Sequence, residues 1–398
     1  MTVSKPSFLS LFSGCGGFDL GFVQAGFRCV GAYDIDSVAV NTHNANFSSS
    51  ALIRDLSNAH DELPGDIDVD VLIAGPPCQG FSTVGKRELN DPRNHLLLTS
   101  GRIALKIRPK VFVLENVRGV VSGQHHQYWQ KLKTMLKKDG YQITDFLADA
   151  ERIGLAQMRK RMIMVAWRTR KEWVPAEMPK YRSVLRDILE NINGASNHKI
   201  RPLEPGSNLY NIAKHIKPGQ KLSNVRGGAR SVHTWDIPEI YGETTEKERI
   251  VLQSLLKLRR RLRLREVGDA DPVLASAITK DTGLSAGAIL NTLHKKSYVR
   301  ETGNRYDLCH AFNGKFRRLR WDEPSYTVDT RFTDFRYFLH PNEHRGFTVR
   351  EAARIQGFPD SFVFLGTEKE QARLVGNAVP PPLSHWVALA VRKMLTNK

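Results

Sequence analysis

The stretch GPPCQGFS, residues 75–82, places a cysteine behind two prolines and ahead of Gln-Gly. Rigid backbone before Cys78 and flexible backbone after it suit a thiol that stays in one place while something enters beside it. A free cysteine is more often a small buried hydrophobe, so its neighbours decide. VDVLIAG (69–75) is a nearly continuous apolar run, as in a central strand covered on both faces, and it delivers the chain to Pro76, Pro77 and Cys78. VFVL (111–114) reads as a second such strand and ends in Glu115-Asn116-Val117, with HLLLTSGRIALKI between the two as a crossover helix. In open α/β sheets, ligands sit outside the carboxyl ends of the strands. Cys78 and Glu115 are therefore brought to one crevice, a thiol and a carboxyl in the outline of a catalytic pair. YQITDFLAD and RMIMVAW are further strands, with Gln157, Arg159 and Arg161 around the connection.

The elements that must position this pair begin at the N-terminus. FLSLF (8–12) reads as a strand, and SGCGGFDLGF after it as a Gly-rich turn opening a helix, where glycine lets backbone approach a ligand closely. RCVGAY (28–33) reads as the next strand, followed by Asp34 and Asp36. An acidic residue at the end of a second strand commonly bonds ribose hydroxyls. Asp55, in IRDLS, follows another short apolar stretch and could reach an adenine or ribose edge. For either aspartate alone, a helix cap or turn is an equal reading.

The chain of 398 residues is long enough for two domains. Its formal net charge is +18 and its pI about 9.8, a surplus that favours a polyanionic partner, nucleic acid before anionic membrane. No apolar run reaches a membrane-spanning length and the N-terminal stretch lacks the long apolar centre of a signal peptide, so a cytoplasmic protein with no membrane partner is expected. Cys15, Cys29, Cys78 and Cys309 show no metal-ligand or disulfide spacing, which also suits a reducing compartment.

In order along nearly the whole chain, the motifs resemble those of the DNA (cytosine-5) methyltransferases. FSGCGGFDLGF resembles that family's cofactor loop, GPPCQGFS its nucleophile loop, ENV its carboxylate motif and GLAQMRKR its Gln-x-Arg-x-Arg motif. HRGFTVREAARIQGFPDSF and GNAVPPPL resemble its two C-terminal motifs. The resemblance implies an α/β fold: a Rossmann-like S-adenosylmethionine-dependent sheet with helices on both faces, and a smaller target-recognition domain. The expected division is 1–175 for catalysis and cofactor, 176–330 for recognition, and 331–398 with its last helix returning to the catalytic domain. It implies Cys78 as nucleophile toward cytosine C6, Glu115 at N3 and the exocyclic amine, and Arg159 and Arg161 at the O2 edge and the phosphate backbone. S-adenosylmethionine would be held by Phe12, Gly14, Gly17, Asp34, Asp55, Pro77, Leu96 and Asn377. Two positions depart from the family pattern. Ile35 stands where many members carry an aromatic, which implies weaker stacking on adenine; Ala156 replaces the proline usual before the Gln.

Double-stranded DNA is the implied partner of a monomer that marks DNA alone or beside a separate cognate restriction endonuclease, and the protein would be nucleoid-associated through that DNA. The recognition region adds its own patterns. KLRRRLRLR (257–265) holds six basic residues in nine, read as a helix face with some arginines on phosphates. Residues 272–308 read as a helix ending in Gly283, a short turn LSAG, a second helix (about 286–296) and a hairpin, a winged-helix-like insert within 268–310 that would touch DNA. FNGKFRRLRWDEPSYTVDTRF interleaves aromatics and arginines, as where backbone is gripped and a flipped base replaced. An RNA-directed relative, a catalytically dead binding subunit and a nicotinamide-dependent oxidoreductase are the alternatives. The last lacks G-x-G-x-x-G spacing and leaves PPCQ unexplained.

Overall fold

The computed structural model describes residues 5–57, 67–77, 94–176, 182–192, 194–265 and 270–396; Cys78 and Gly80 lie outside them. The chain divides into two compact units, one made of Met1–His198, Asp322–Arg331 and Val349–Lys398, the other of Lys199–Trp321 and Phe332–Thr348.

The first unit is built on strands β1 (Ser7–Leu11), β2 (Arg28–Asp34), β3 (Ala51–Ile53), β4 (Val71–Ala74), β5 (Val111–Val117), β6 (Gln142–Asp149), β7 (Gln157–Met158) and β8 (Lys160–Trp167). Seven of them form one sheet in the order β3-β2-β1-β4-β5-β8-β6. The first five are parallel to one another and β8 runs antiparallel between β5 and β6. Alternating residues feed two cores. Phe8, Ile73, Val113 and Ile163 pack on one face with α1 (Gly17–Gln24) and the helix Pro381–Thr396. Leu9, Leu72, Leu114 and Met164 pack on the other, against helices α3 (His95–Ile107) and α4 (His126–Lys138). Helix α2 (Ser37–Asn46) connects β2 to β3. Helices thus cover both faces, as the period-free apolar runs of the strands require.

The last helix lies directly on α1. A Cβ on Gly21 would stand 2.3 Å from the His385 backbone nitrogen, so only glycine permits this approach. Residues 182–192 belong to the first unit because Arg354 ties them down, donating to the carbonyls of Ile188, Glu190 and Asn191.

The second unit holds a three-stranded sheet (Ser231–Val232, Lys221–Ser223, Asn313–Lys315) and, apart from it, a succession of α5 (Glu246–Arg261), β9 (Val273–Leu274), α6 (Ala275–Thr282), α7 (Ala286–Lys295), β10 (Val299–Thr302) and β11 (Arg305–Leu308). The helix–turn–helix–hairpin layout read from the sequence is present, with α5 added to its core: Val251, Leu255, Ile278, Leu290, Leu293 and Val299 pack together. The basic run is less uniform than a helix face. Arg259 is buried on Asp307, Arg261 reaches Asp281 and Arg265 pairs with Asp271, while Leu264 beyond the helix end is 80% exposed. Arg318, expected among backbone-gripping arginines, is instead a buried hub. Its guanidinium donates to the carbonyls of Ala213, Ile216, His340 and Glu343, and burial pulls its pKa down to about 10.

Candidate active site

The register of the parallel strands sets one row of residues across the carboxyl edge of the sheet. Ile53 pairs with Asp34; Tyr33 pairs with Leu11, so Asp34 stands level with Phe12. Leu11 pairs with Ala74 and Ala74 with Leu114, which brings Gly75 level with both Phe12 and Glu115. The cofactor loop, the first acidic residue, the start of the PPC loop and the carboxylate motif therefore share one edge. Asp55 follows this row by two residues on β3, and Pro77 by two residues on β4.

At one end of the row, geometry pairs an acid with a cation. Glu115 lies opposite Ile163 and Val117 opposite Arg161, so Glu115 and Arg161 are diagonal neighbours on the same face of an antiparallel pair. Arg161 Nε stands 2.9 Å from Glu115 Oε1. Burial pushes the Glu115 pKa above the ordinary carboxylate range, outweighing the opposing pull of Arg161 and, more weakly, of Arg159. The next residue, Asn116, is buried and donates from Nδ2 to the Pro76 carbonyl at 3.2 Å, which pins the chain just before Pro77. The three described thiols are unsuited to nucleophilic work. Burial pushes Cys15 to about 12 and Cys29 to about 11, and raises Cys309 as well.

At the other end the loop after β1 bends sharply, with Phe12 at φ 54° and Gly14 at φ 54°. Asp34 holds it: its Oδ2 accepts from the Gly14 amide at 2.8 Å and its Oδ1 from the Asp36 amide at 2.9 Å. Burial raises the Asp34 pKa against these bonds. Among the described residues nothing lies within 4 Å of where a Gly14 Cβ would stand. Gly17 is needed for packing, since its Cβ would meet the Val379 carbonyl at 2.4 Å. Below the loop, buried Asp19 accepts from Ser10 Oγ at 2.6 Å and faces His43 Nε2 at 2.8 Å, fixing α1 to β1 and α2. Ile35, just past the row, is 65% exposed, and Ile53 is also exposed. A carboxylate, turned-out backbone and exposed apolar side chains at neighbouring strand ends fit a nucleoside with a ribose.

The remaining sequence candidates separate. Asp55 is exposed and accepts from the Ser57 amide at 2.8 Å. Pro77 and Leu96 are half-buried, and Asn377 is exposed at the end of the helix Glu368–Asn377. Asp36 is a structural residue. It caps α2 and pairs with Arg373, which holds its carboxyl below the ordinary range despite partial burial. Arg159, expected at a base edge or phosphate, is a buried residue. It is 2% exposed, and its two NH groups donate at 2.8 Å to the carbonyls of Val328 and Ala378. Gln157 joins the same cluster, donating to the Ile355 carbonyl and to Gln356 Oε1 and accepting from the Val328 amide, and Gln356 donates onward to Val375. Ala156, in place of a proline, is buried and its carbonyl receives the Ser325 amide at 2.8 Å. The roles of Asn116, Gln356 and Arg373 were not read from the sequence. The first two lie inside the quoted motifs ENV and RIQGF, which is the signal that could have drawn attention to them.

The profile of the C-5 cytosine-specific DNA methylases matches residues 7–393. The chain belongs to that family. Among curated relatives of this methylase, the type II methyltransferase M.XorII of Xanthomonas oryzae pv. oryzae is 31% identical over 100% of the chain and 87% of its own length. The type II methyltransferase M1.HphI of Haemophilus parahaemolyticus is 30% identical over 98% of the chain and 88% of its length. The fold is also that of the Entamoeba histolytica methyltransferase EhMeth, with a TM-score of 0.59 at 15% identity over 99% of the chain and 100% of that structure. For S. pombe Dnmt2 methyltransferase the TM-score is 0.54 at 18% identity, over 98% and 100%. The protein is a DNA (cytosine-5) methyltransferase.

Proposed function

We propose that this methyltransferase modifies cytosine in duplex DNA through a covalent bond to Cys78, on a base turned out of the helix, and that it protects DNA as the modifying half of a restriction-modification system. S-adenosylmethionine, when bound against Phe12, Gly14, Gly17, Asp34, Asp55, Pro77, Leu96 and Asn377, supplies an electrophilic methyl group. The Cys78 thiolate would add to C6 and push the ring electrons to C5, which would take the methyl group as its bond to the donor sulfur breaks and leaves a neutral thioether. Loss of the C5 proton and departure of the thiolate then restore the double bond. Glu115, protonated, donates to N3 and balances the charge that builds as sulfur adds. Arg161 orients Glu115 and reaches toward the O2 edge. A stacked base could not meet these groups, hence the flipping.

The observation that carries this reading is the buried Glu115, level with Gly75 across the sheet edge and held on Arg161, with its pKa raised by burial. The protective role is supported by the type II methyltransferases among the relatives. The test uses purified protein, labelled S-adenosylmethionine, and unmethylated genomic DNA or bulk RNA, followed by base-resolution mapping of 5-methylcytosine. A duplex carrying 5-fluorocytosine at the mapped position should trap a denaturant-stable adduct, because fluorine cannot leave as the C5 proton does. Cys78→Ser should form none. Label in RNA and not in DNA, or an adduct that survives Cys78→Ser, would overturn the reading.

A further inference from the structure

We propose that residues 246–308 form a winged-helix module that seats α7 in the major groove of duplex DNA and takes part in choosing the methylated site. The proposal rests on the reading of duplex DNA as substrate. The three short strands pair antiparallel in the order β9-β11-β10, so α5, β9, α6, α7 and a terminal hairpin close around a single core. In such a module the second helix of the helix–turn–helix is the one presented to the groove.

The two sides of α7 divide accordingly. Ala286, Leu290 and Leu293 are buried in the core. Gly287, Ala288, Asn291, Thr292 and Lys295 form one exposed stripe along the helix. Its first turn carries no bulk, and among the described residues nothing lies within 4 Å of where a Gly287 Cβ would stand, so the backbone there can approach a partner closely. Farther along come an amide, a hydroxyl and an ammonium, the groups that read adenine edges, base edges in general, and guanine or phosphate. No acidic residue interrupts the stripe.

Charge selects the partner. The module holds 13 Lys and Arg against 8 Asp and Glu. Four of its acids are paired within it. Asp281 accepts from Ser254 Oγ at 2.6 Å and pairs with Arg261; Asp307 pairs with Arg259 and Arg300; Asp271 pairs with Arg265; and Glu248 pairs with Lys296. Cations are left outward, including Lys257 and Arg260 of α5, which line a cleft with Arg226. A polar stripe that ends in Lys295, on a cationic module, matches a groove flanked by phosphates and not an apolar protein surface.

The experiment uses the full chain. Asn291→Ala, Thr292→Ala and Lys295→Ala are combined, with Lys247→Ala at the exposed start of α5 as a charge control, and melting temperatures are matched to wild type. Should the triple variant melt early, Asn291→Ser replaces it. Binding to a duplex with the mapped context is read by fluorescence anisotropy, and the methylated context is mapped again. The expected result is about ten- to a hundredfold weaker binding by the triple variant and a relaxed base preference at one or more positions, with Lys247→Ala near wild type. Unchanged affinity and unchanged context, or a loss no larger than that of Lys247→Ala, would overturn the proposal. The two readings fail separately. Wild-type protein that binds duplex but does not methylate it defeats the proposed chemistry while the binding comparison still judges the module.

Discussion

Replacing Arg159 distinguishes a residue that holds the fold from one that holds DNA. Its guanidinium bridges the Val328 and Ala378 carbonyls, each at 2.8 Å, in a site 2% exposed. Hydrogen bonds from a charged donor contribute about 1.5–3 kcal/mol each. Arg159→Ala therefore forfeits about 3–6 kcal/mol and takes a donor from two buried carbonyls, of which Ala378 keeps only the long bond from Gln356 Nε2 at 3.4 Å; release of the cation's burial cost offsets part of this, leaving ~3 kcal/mol. For a domain of this size that lowers the melting temperature by roughly 6–12 °C. Arg159→Lys should recover little, because one ammonium cannot span both carbonyls as a planar fork does. The assay is thermal unfolding beside DNA affinity and methyl-transfer rate on the same preparations. Loss of activity in step with loss of stability, with DNA affinity of the folded fraction unchanged, is the expected pattern. Wild-type melting together with a raised KM for DNA would refute the reasoning, since the guanidinium would then leave its carbonyls for the substrate.

Glu115→Gln should lower the single-turnover rate about 10²–10³-fold with cofactor affinity intact, because a neutral amide cannot deliver a proton to N3. The wild-type rate should fall as pH rises through the elevated Glu115 pKa, and weakening the opposing pull by Arg159→Ala should move that limb further upward. Stability carries the same mark. Between the ordinary carboxylate pKa and the raised one, the unfolded chain has lost a proton that the folded chain keeps, so stability falls with rising pH in that window, and Glu115→Gln should flatten the slope measured by denaturant unfolding. Ile35→Trp should tighten S-adenosylmethionine binding about three- to tenfold in calorimetry, by adding an aromatic platform where Ile35 is 65% exposed, and an unchanged Kd would place the adenine elsewhere. Gly21→Val should give protein that melts far below wild type or fails to fold, because its Cβ meets backbone at 2.3 Å.

Much of this site was legible because a parallel sheet delivers chemistry to one edge. Once FLSLF, RCVGAY, VDVLIAG and VFVL are strands, Phe12, Asp34, Gly75 and Glu115 must stand together, and the register puts them in one row. The hairpin-and-helices pattern of 272–308 was legible for a similar reason: turn, helix and strand signals there are local. What stayed hidden depends on partners distant in the chain. Arg159 bonds residues 169 and 219 positions away, Asp36 meets Arg373 across 337, and Arg318 collects carbonyls from 22 to 105 positions off. An arginine in a basic, aromatic stretch looks like a phosphate contact until those carbonyls are known.

The two arginines of the Gln-x-Arg-x-Arg motif show how such a difference arises two residues apart. Arg161 sits in the antiparallel ladder opposite Val117, so its side chain must share a face with Glu115. Arg159 precedes that ladder, beyond the short β7 that pairs with Ser325–Tyr326, and its amide bonds back to the Gln157 carbonyl at 3.0 Å. Its guanidinium donates to the Val328 and Ala378 carbonyls beside Gln157 and Gln356, near enough to Glu115 to pull its pKa down. That cluster joins three stretches of chain, at Val328, Ile355 and Ala378, which border the returns from the second unit and the helix Glu368–Asn377. Arg161 pairs with the Glu115 carboxyl, and Arg159 bonds the interior carbonyls of Val328 and Ala378. Exchanging their neighbours, not their identity, is what separates the roles.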